Sequence, residues 1–315
     1  MERIKLEELY KNRGYRATIS AAYNTFIENY KQIFRHTWLC MALMALLIPV
    51  VFVVAFAQVG GDFNPLVVGG YFLVSCLLLV VEMFYYGRVA MLFNEKAYGW
   101  NIGRVVKLWL WTMLLFSVIM LVVGGFVALA AIGIIPADQS AAQSVSPMAA
   151  EAANDMAYFK IMLLTYLLIF VVILLLLPYT YVSMKYIAEP QTHMWKLFFK
   201  NFKVGMRHWG YIFLTLFVMY IILMAVSFII ALPLLILFVV FILFIIGTPY
   251  GDEAAMPGYF PWLLYIVGAV TVFASMFISI IMFYVLYYIY GSIEAREKER
   301  ESLGTVAEEA ALANQ

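Results

Sequence analysis

The chain is 315 residues long, 65% hydrophobic and 12% charged, with a mean hydropathy of +0.93. A soluble globular protein is about half apolar and roughly a quarter charged, so this composition excludes a water-soluble fold. The formal net charge of +1 conceals a strong segregation of the basic residues.

A crossing of ~30 Å of hydrocarbon needs roughly 20 apolar residues in a helix. Residues 1–37 alternate in charge and hold no such run, so they read as a cytoplasmic segment and not as a cleavable signal peptide. Apolar spans are predicted at about 38–58, 66–87, 108–135 and 158–186. A fifth begins near Trp209 and a sixth covers about 260–290. The fold expected is an all-α polytopic membrane protein, with a six-span domain over 38–291 and a charged tail over 292–315. Residues 209–247 are uncharged throughout, with Pro233 near the middle. One crossing over 209–232 is expected, with 233–247 either extending it past a kink or lying re-entrant.

Lys and Arg set orientation. They occupy the N-terminal segment (Arg3 to Arg35), the connection between spans two and three (Arg88 to Lys107), that between four and five (Lys185 to Arg207), and the tail (Arg296 to Arg300). Of the 20 Lys and Arg, only Lys160 falls on the other side. This predicts an even number of crossings with both termini cytoplasmic. The outer connections are GGDFNP, an Ala/Ser/Gln-rich stretch after Pro136 that reads as a flexible loop, and GTPYGDEAAMPG. Glu151 and Asp155 suit the start of a short helix before span four.

Before each odd-numbered span a similar stretch recurs. NYKQIFRH at 29–36 resembles NFKVGMRHW at 201–209, and NIGRVVKLW at 101–109 aligns with the latter without gaps. The chain is therefore expected to hold three repeats, each an amphipathic interfacial helix followed by a transmembrane hairpin. Apolar residues recur at helical spacing in the first copy (Ile19, Tyr23, Phe26, Tyr30, Phe34) and in the third (Trp195, Phe198, Phe199, Phe202, Met206, Trp209). Such a helix lies in the interface with its bases facing anionic headgroups. The candidate headgroup contacts are Lys31, Arg35, His36, Arg104, Lys107, Lys203, Arg207 and His208.

Other chemistry is sparse. There is no phosphate-binding loop, zinc-protease motif or nucleophile elbow. His193, the third histidine, reads as solvated, and Cys40 and Cys76 read as small hydrophobes. Glu82 is the acid well inside a span, a candidate for ion or proton coupling, or for snorkelling toward Arg88 or nearby tyrosines. Asp62, Asp138, Asp252 and Glu253 read as solvated outer acids, with a shared cation site as the alternative. Small residues at Gly124, Ala128 and Ala131, and at Gly268, Thr271, Ser275 and Ser279, are spaced for close helix packing. For the second set, a polar lining to a substrate path is the alternative.

The three stretches NYKQIFRH, NIGRVVKLW and NFKVGMRHW, with the tail YYIYGSIEAREKE, resemble a broad group of bacterial six-helix membrane proteins. The group includes the membrane domain N-terminal to some glycerophosphodiester phosphodiesterases. The resemblance implies a bacterial inner-membrane location and a membrane domain without the catalytic barrel, so no catalytic residue carries over. The function expected is non-enzymatic, with no cofactor and no nucleic acid. Its expected partners are the lipid bilayer, anionic phospholipid, and a membrane-protein partner or a second copy. The alternative is a small transporter using Glu82 and the span-six hydroxyls. A lipid enzyme would need a nucleophile or metal cluster for which the sequence offers no candidate.

Overall fold

The computed structural model describes residues 8–57, 65–94, 96–142, 147–247 and 257–313. Seven helices form: α1 (Tyr15–Ala57), α2 (Pro65–Ala90), α3 (Tyr98–Ala142), α4 (Pro147–Ala188), α5 (Met194–Arg207), α6 (Trp209–Gly247) and α7 (Phe260–Ala313). No strand occurs among the described residues. All but α5 are long and apolar enough to cross a membrane, which gives the six expected spans.

Several helices outrun the apolar stretches that define them. α6 continues through Pro233 to Gly247, so 233–247 extends the fifth span and does not turn back. A proline removes one ladder bond, and the long apolar run after it resumes the helix. The Ala/Ser/Gln-rich stretch is mostly helical rather than a loop: α3 reaches Ala142 and α4 starts at Pro147. Alanine is the best helix former, and proline fits a first helical turn. α7 runs for 54 residues, about 80 Å by helical rise, and takes the charged tail with it.

The three basic-aromatic stretches have different settings. The first lies inside unbroken α1, and the second sits in the opening turns of α3. Only the third is a separate helix, α5, which ends where His208 leaves helical geometry (φ −101°, ψ 18°). One detail is common to all three. Asn29, Asn101 and Asn201 each donate from Nδ2 to the carbonyl four residues earlier, at 2.8, 3.4 and 3.1 Å.

α1 and α7 pair antiparallel along most of their length. Phe34 meets Phe273 and Phe277, Thr25 meets Tyr288, and Asn12 meets Glu299. The face of α1 turned to α7 carries small and polar residues: Thr18, Ala22, Thr25, Asn29 and Thr37 are all buried. Facing them are Ile280, Tyr284, Tyr288 and Ile293, fully buried on α7. Between apolar helices in lipid, van der Waals packing and interhelical hydrogen bonds hold the pair, so small side chains are favoured. Thr25 Oγ1 lies 2.6 Å from Tyr288 Oη, and Thr37 Oγ1 donates to Ile33 O at 2.9 Å.

α2 and α4 join this pair at one end, while α6 follows α7 to its far end, where Phe241 and Phe244 meet Phe260. Tyr85 of α2 donates to Met276 O of α7 at 3.2 Å, and Phe93 packs on Tyr284 and Tyr287. Further along α7, Tyr181 and Lys185 of α4 bond Glu294 Oε1 at 2.5 and 2.6 Å. In the most apolar stretches of α2, α3, α4 and α6 only 6% of residues are buried, against 33% in α1 and 22% in α7. The core therefore lies at the end where residues 10–13 meet residues 290–299 of α7. Gly124 of α3, expected in close packing, has open space where a Cβ would stand, whereas Gly268 of α7 sits against Pro49.

Two positions show how tightly this end is fitted. Pro178 has no N–H to offer the Leu174 carbonyl, and Trp209 Nε1 donates to that carbonyl at 2.7 Å. At Gly291 a Cβ would stand 2.3 Å from Leu9 O, so glycine lets the N-terminal segment cross α7. Gly291→Ala should weaken docking of residues 8–13 by about 1–3 kcal/mol, seen as faster amide exchange there. Gly103→Ala, where a Cβ meets nothing within 4 Å, should leave it unchanged. Trp209→Phe should cost about 0.5–1.5 kcal/mol, and clearly less in a Pro178→Ala background, where the helix supplies its own donor. Thermal melts of the single and double variants in detergent would measure both effects.

Candidate functional site

Beside the α1–α7 pair, α1 and α2 leave a groove of about 320 Å³. Arg35 and His36 come from α1, Arg88 from the last turn of α2, and Tyr98 from the start of α3. Leu39, Leu43, Val81 and Phe84 form its apolar wall. The order follows from helical spacing. Arg35, Leu39 and Leu43 are one turn apart on a single face of α1, as Val81, Phe84 and Arg88 are on α2. Cationic groups thus cluster at one end and aliphatic side chains line the rest.

The charges in this groove are open. Neither Arg35 nor Arg88 makes an ion pair among the described residues. The Arg88 guanidinium lies 4.2 Å from the Tyr98 ring centroid, a cation–π contact that holds it beside the groove. His36 feels the positive charge of both arginines. An oxyanion entering here would meet two guanidinium forks and an imidazole at the mouth of an apolar wall, the donor set that suits a phosphate joined to an alkyl chain.

The other candidate residues are disposed differently. Arg104, expected among the headgroup contacts, is turned inward and only 8% exposed. Its guanidinium donates to Pro190 O at 2.8 Å, to Glu189 O and Thr192 O at 3.2 Å, and also to Tyr186 O. These are carbonyls at and beyond the C-terminal end of α4, where the helix dipole favours a cation and carbonyls lack helical partners. The Tyr186 ring stacks 3.6 Å from the guanidinium. Arg104 therefore joins α3 to the end of α4.

Arg207 and His208 are also engaged within the protein. They bind the two oxygens of Glu297 on α7, at 2.7 and 2.8 Å. Lys31 lies 5.8 Å from the Tyr30 ring centroid, and Lys107 and Lys203 are exposed. Glu82 lies one turn before Tyr86 on α2, outside the groove lining. His193 is exposed and stands just before α5 in extended geometry, with no capping bond from its side chain. Asp62, Asp252, Glu253 and the side chain of Asp138 lie outside the described residues.

Of the eight residues marked from sequence, the structure brings Arg35 and His36 into one site and adds two that were not marked, Arg88 and Tyr98. Arg88 was legible as a base just past a span. Its pairing with Arg35, 53 positions away, left no sequence signal.

No protein-family model, curated protein or solved structure matches this chain.

Arg104→Lys keeps the charge but loses the fork that bridges several carbonyls. It should destabilise the protein by about 1.5–3 kcal/mol, read as a lower melting temperature in detergent. Lys107→Gln, one turn away and exposed, should melt with wild type.

Proposed function

We propose that this chain is a non-enzymatic integral membrane protein that binds anionic phospholipid on the cytoplasmic side of a bacterial inner membrane. The α1–α2 groove carries the reading: Arg35, Arg88 and His36 stand at its mouth with Leu39, Leu43 and Val81 beyond them. The two arginines take the lipid phosphate, and one acyl chain follows the aliphatic wall toward the bilayer interior. Orientation follows the bias of Lys and Arg, which gather on the side of anionic cytoplasmic lipid. The reading agrees with the fate of other bases, since Arg104, Arg207 and His208 are held within the protein whereas Arg35 and Arg88 open onto an apolar groove.

The test is native mass spectrometry of protein released from nanodiscs of mixed phosphatidylglycerol and phosphatidylethanolamine. Wild type should retain phosphatidylglycerol, and an Arg35→Gln/Arg88→Gln variant with unchanged helicity should retain one fewer molecule per chain. An Arg207→Gln variant should match wild type. Equal retention in the first variant, or retention of phosphatidylethanolamine alone, would overturn the assignment.

A further inference from the structure

The opposite flank of α1 carries a second and larger groove, of about 690 Å³, between α1, α6 and α7. Its walls include Met219, Ile222 and Val226 of α6 with Ile278 and Ile281 of α7. At its α1 edge stand Arg16, Ser20 and Tyr23, three residues on one helical face. Arg16 donates from Nε to Tyr15 Oη at 3.0 Å, which leaves its two terminal nitrogens without a partner among the described residues. Thr18 Oγ1 and Tyr211 Oη, 2.7 Å apart, tie α1 to α6 beside the groove. No carboxylate lines it.

From these features we infer that this groove is a separate phospholipid site, with the phosphate at Arg16 and an acyl chain between α6 and α7. Charge complementarity sets the head, and the aliphatic walls set the tail. A free phosphate would gain nothing from Met219, Ile222, Val226, Ile278 and Ile281.

One lipid cannot fill both grooves. Arg16 and Arg35 are 19 residues apart on α1, about 28 Å by helical rise. The face of α1 between them is exposed, apolar and aromatic. Tyr23, Ile27, Tyr30 and Phe34 are each 40–54% exposed and continue the face of Arg16. An exposed apolar and aromatic stripe with bases beside it is the pattern of a helix seated at the headgroup boundary.

The site stands independently of the α1–α2 reading, and the same nanodiscs test it. Wild type should retain two phosphatidylglycerol molecules per chain. Arg16→Gln should retain one, and so should Ile222→Trp, which fills the groove and leaves the charge in place. Joined to Arg35→Gln/Arg88→Gln, either should retain none. If Arg16→Gln fails to fold, Ile222→Trp decides. Retention unchanged by both variants overturns this site while leaving the first intact. Loss with Arg16→Gln or Ile222→Trp, but not with Arg35→Gln/Arg88→Gln, sustains this site and removes the first. Displacement of the Arg16 lipid by inorganic phosphate alone would overturn the acyl-chain assignment.

Discussion

Close approach of α1 and α7 is the constraint on which the rest of this molecule depends. In lipid, apolar surface gives helices little reason to prefer each other over acyl chains, so contact has to come from packing and hydrogen bonds. α1 meets that demand with Ala22, Thr25, Asn29 and Thr37 along its buried face. α7 answers with tyrosines large enough to reach across, and Thr25 with Tyr288 closes the seam. Once the two are paired, α2 and α4 dock on α7 through Tyr85, Tyr181 and Lys185. Both grooves exist because α1 is held by α7 on one face and leaves its flanks open.

The basic residues show how little residue type says about role. Arg104 quiets the carbonyl end of α4. Arg207 and His208 close on Glu297 and tie the start of α6 to the α7 extension. Arg35 and Arg88 face each other across a groove. All of these obey the same topological bias. What separates them is whether a carbonyl, a carboxylate or an open apolar wall lies within reach, and that is decided by packing.

Six apolar stretches were legible because hydrocarbon thickness imposes a length that few other constraints mimic. The continuity of α6 past Pro233 was left open because a lone proline can kink a helix or end it, and the surrounding leucines suit either course. The helical tail of α7 was missed for a different reason. Its Glu, Arg and Lys residues are good helix formers, but their charge marks only the end of an apolar run. On α1 the aromatic stripe was visible and the partner face was not, because Thr25 and Asn29 carry no hydrophobic signal. Arg35 and His36 could be marked from their place before a span. Arg88 joined them only through the packing of α1 on α2.

The length of α7 has a mechanical consequence. One unbroken helix connects Trp262 at the far end of the bundle to Glu294 and Glu297 at the base. Between these points the rod acts as a lever of about 50 Å, and a tilt of about 5° displaces one end against the other by about 5 Å. Ion pairs such as Lys185 with Glu294, at 2.6 Å, tolerate far less than that. Sideways pressure on the outer half of α7, from a thinner bilayer or a crowded leaflet, would therefore be felt as strain at the base, where Arg207 and His208 hold the same helix.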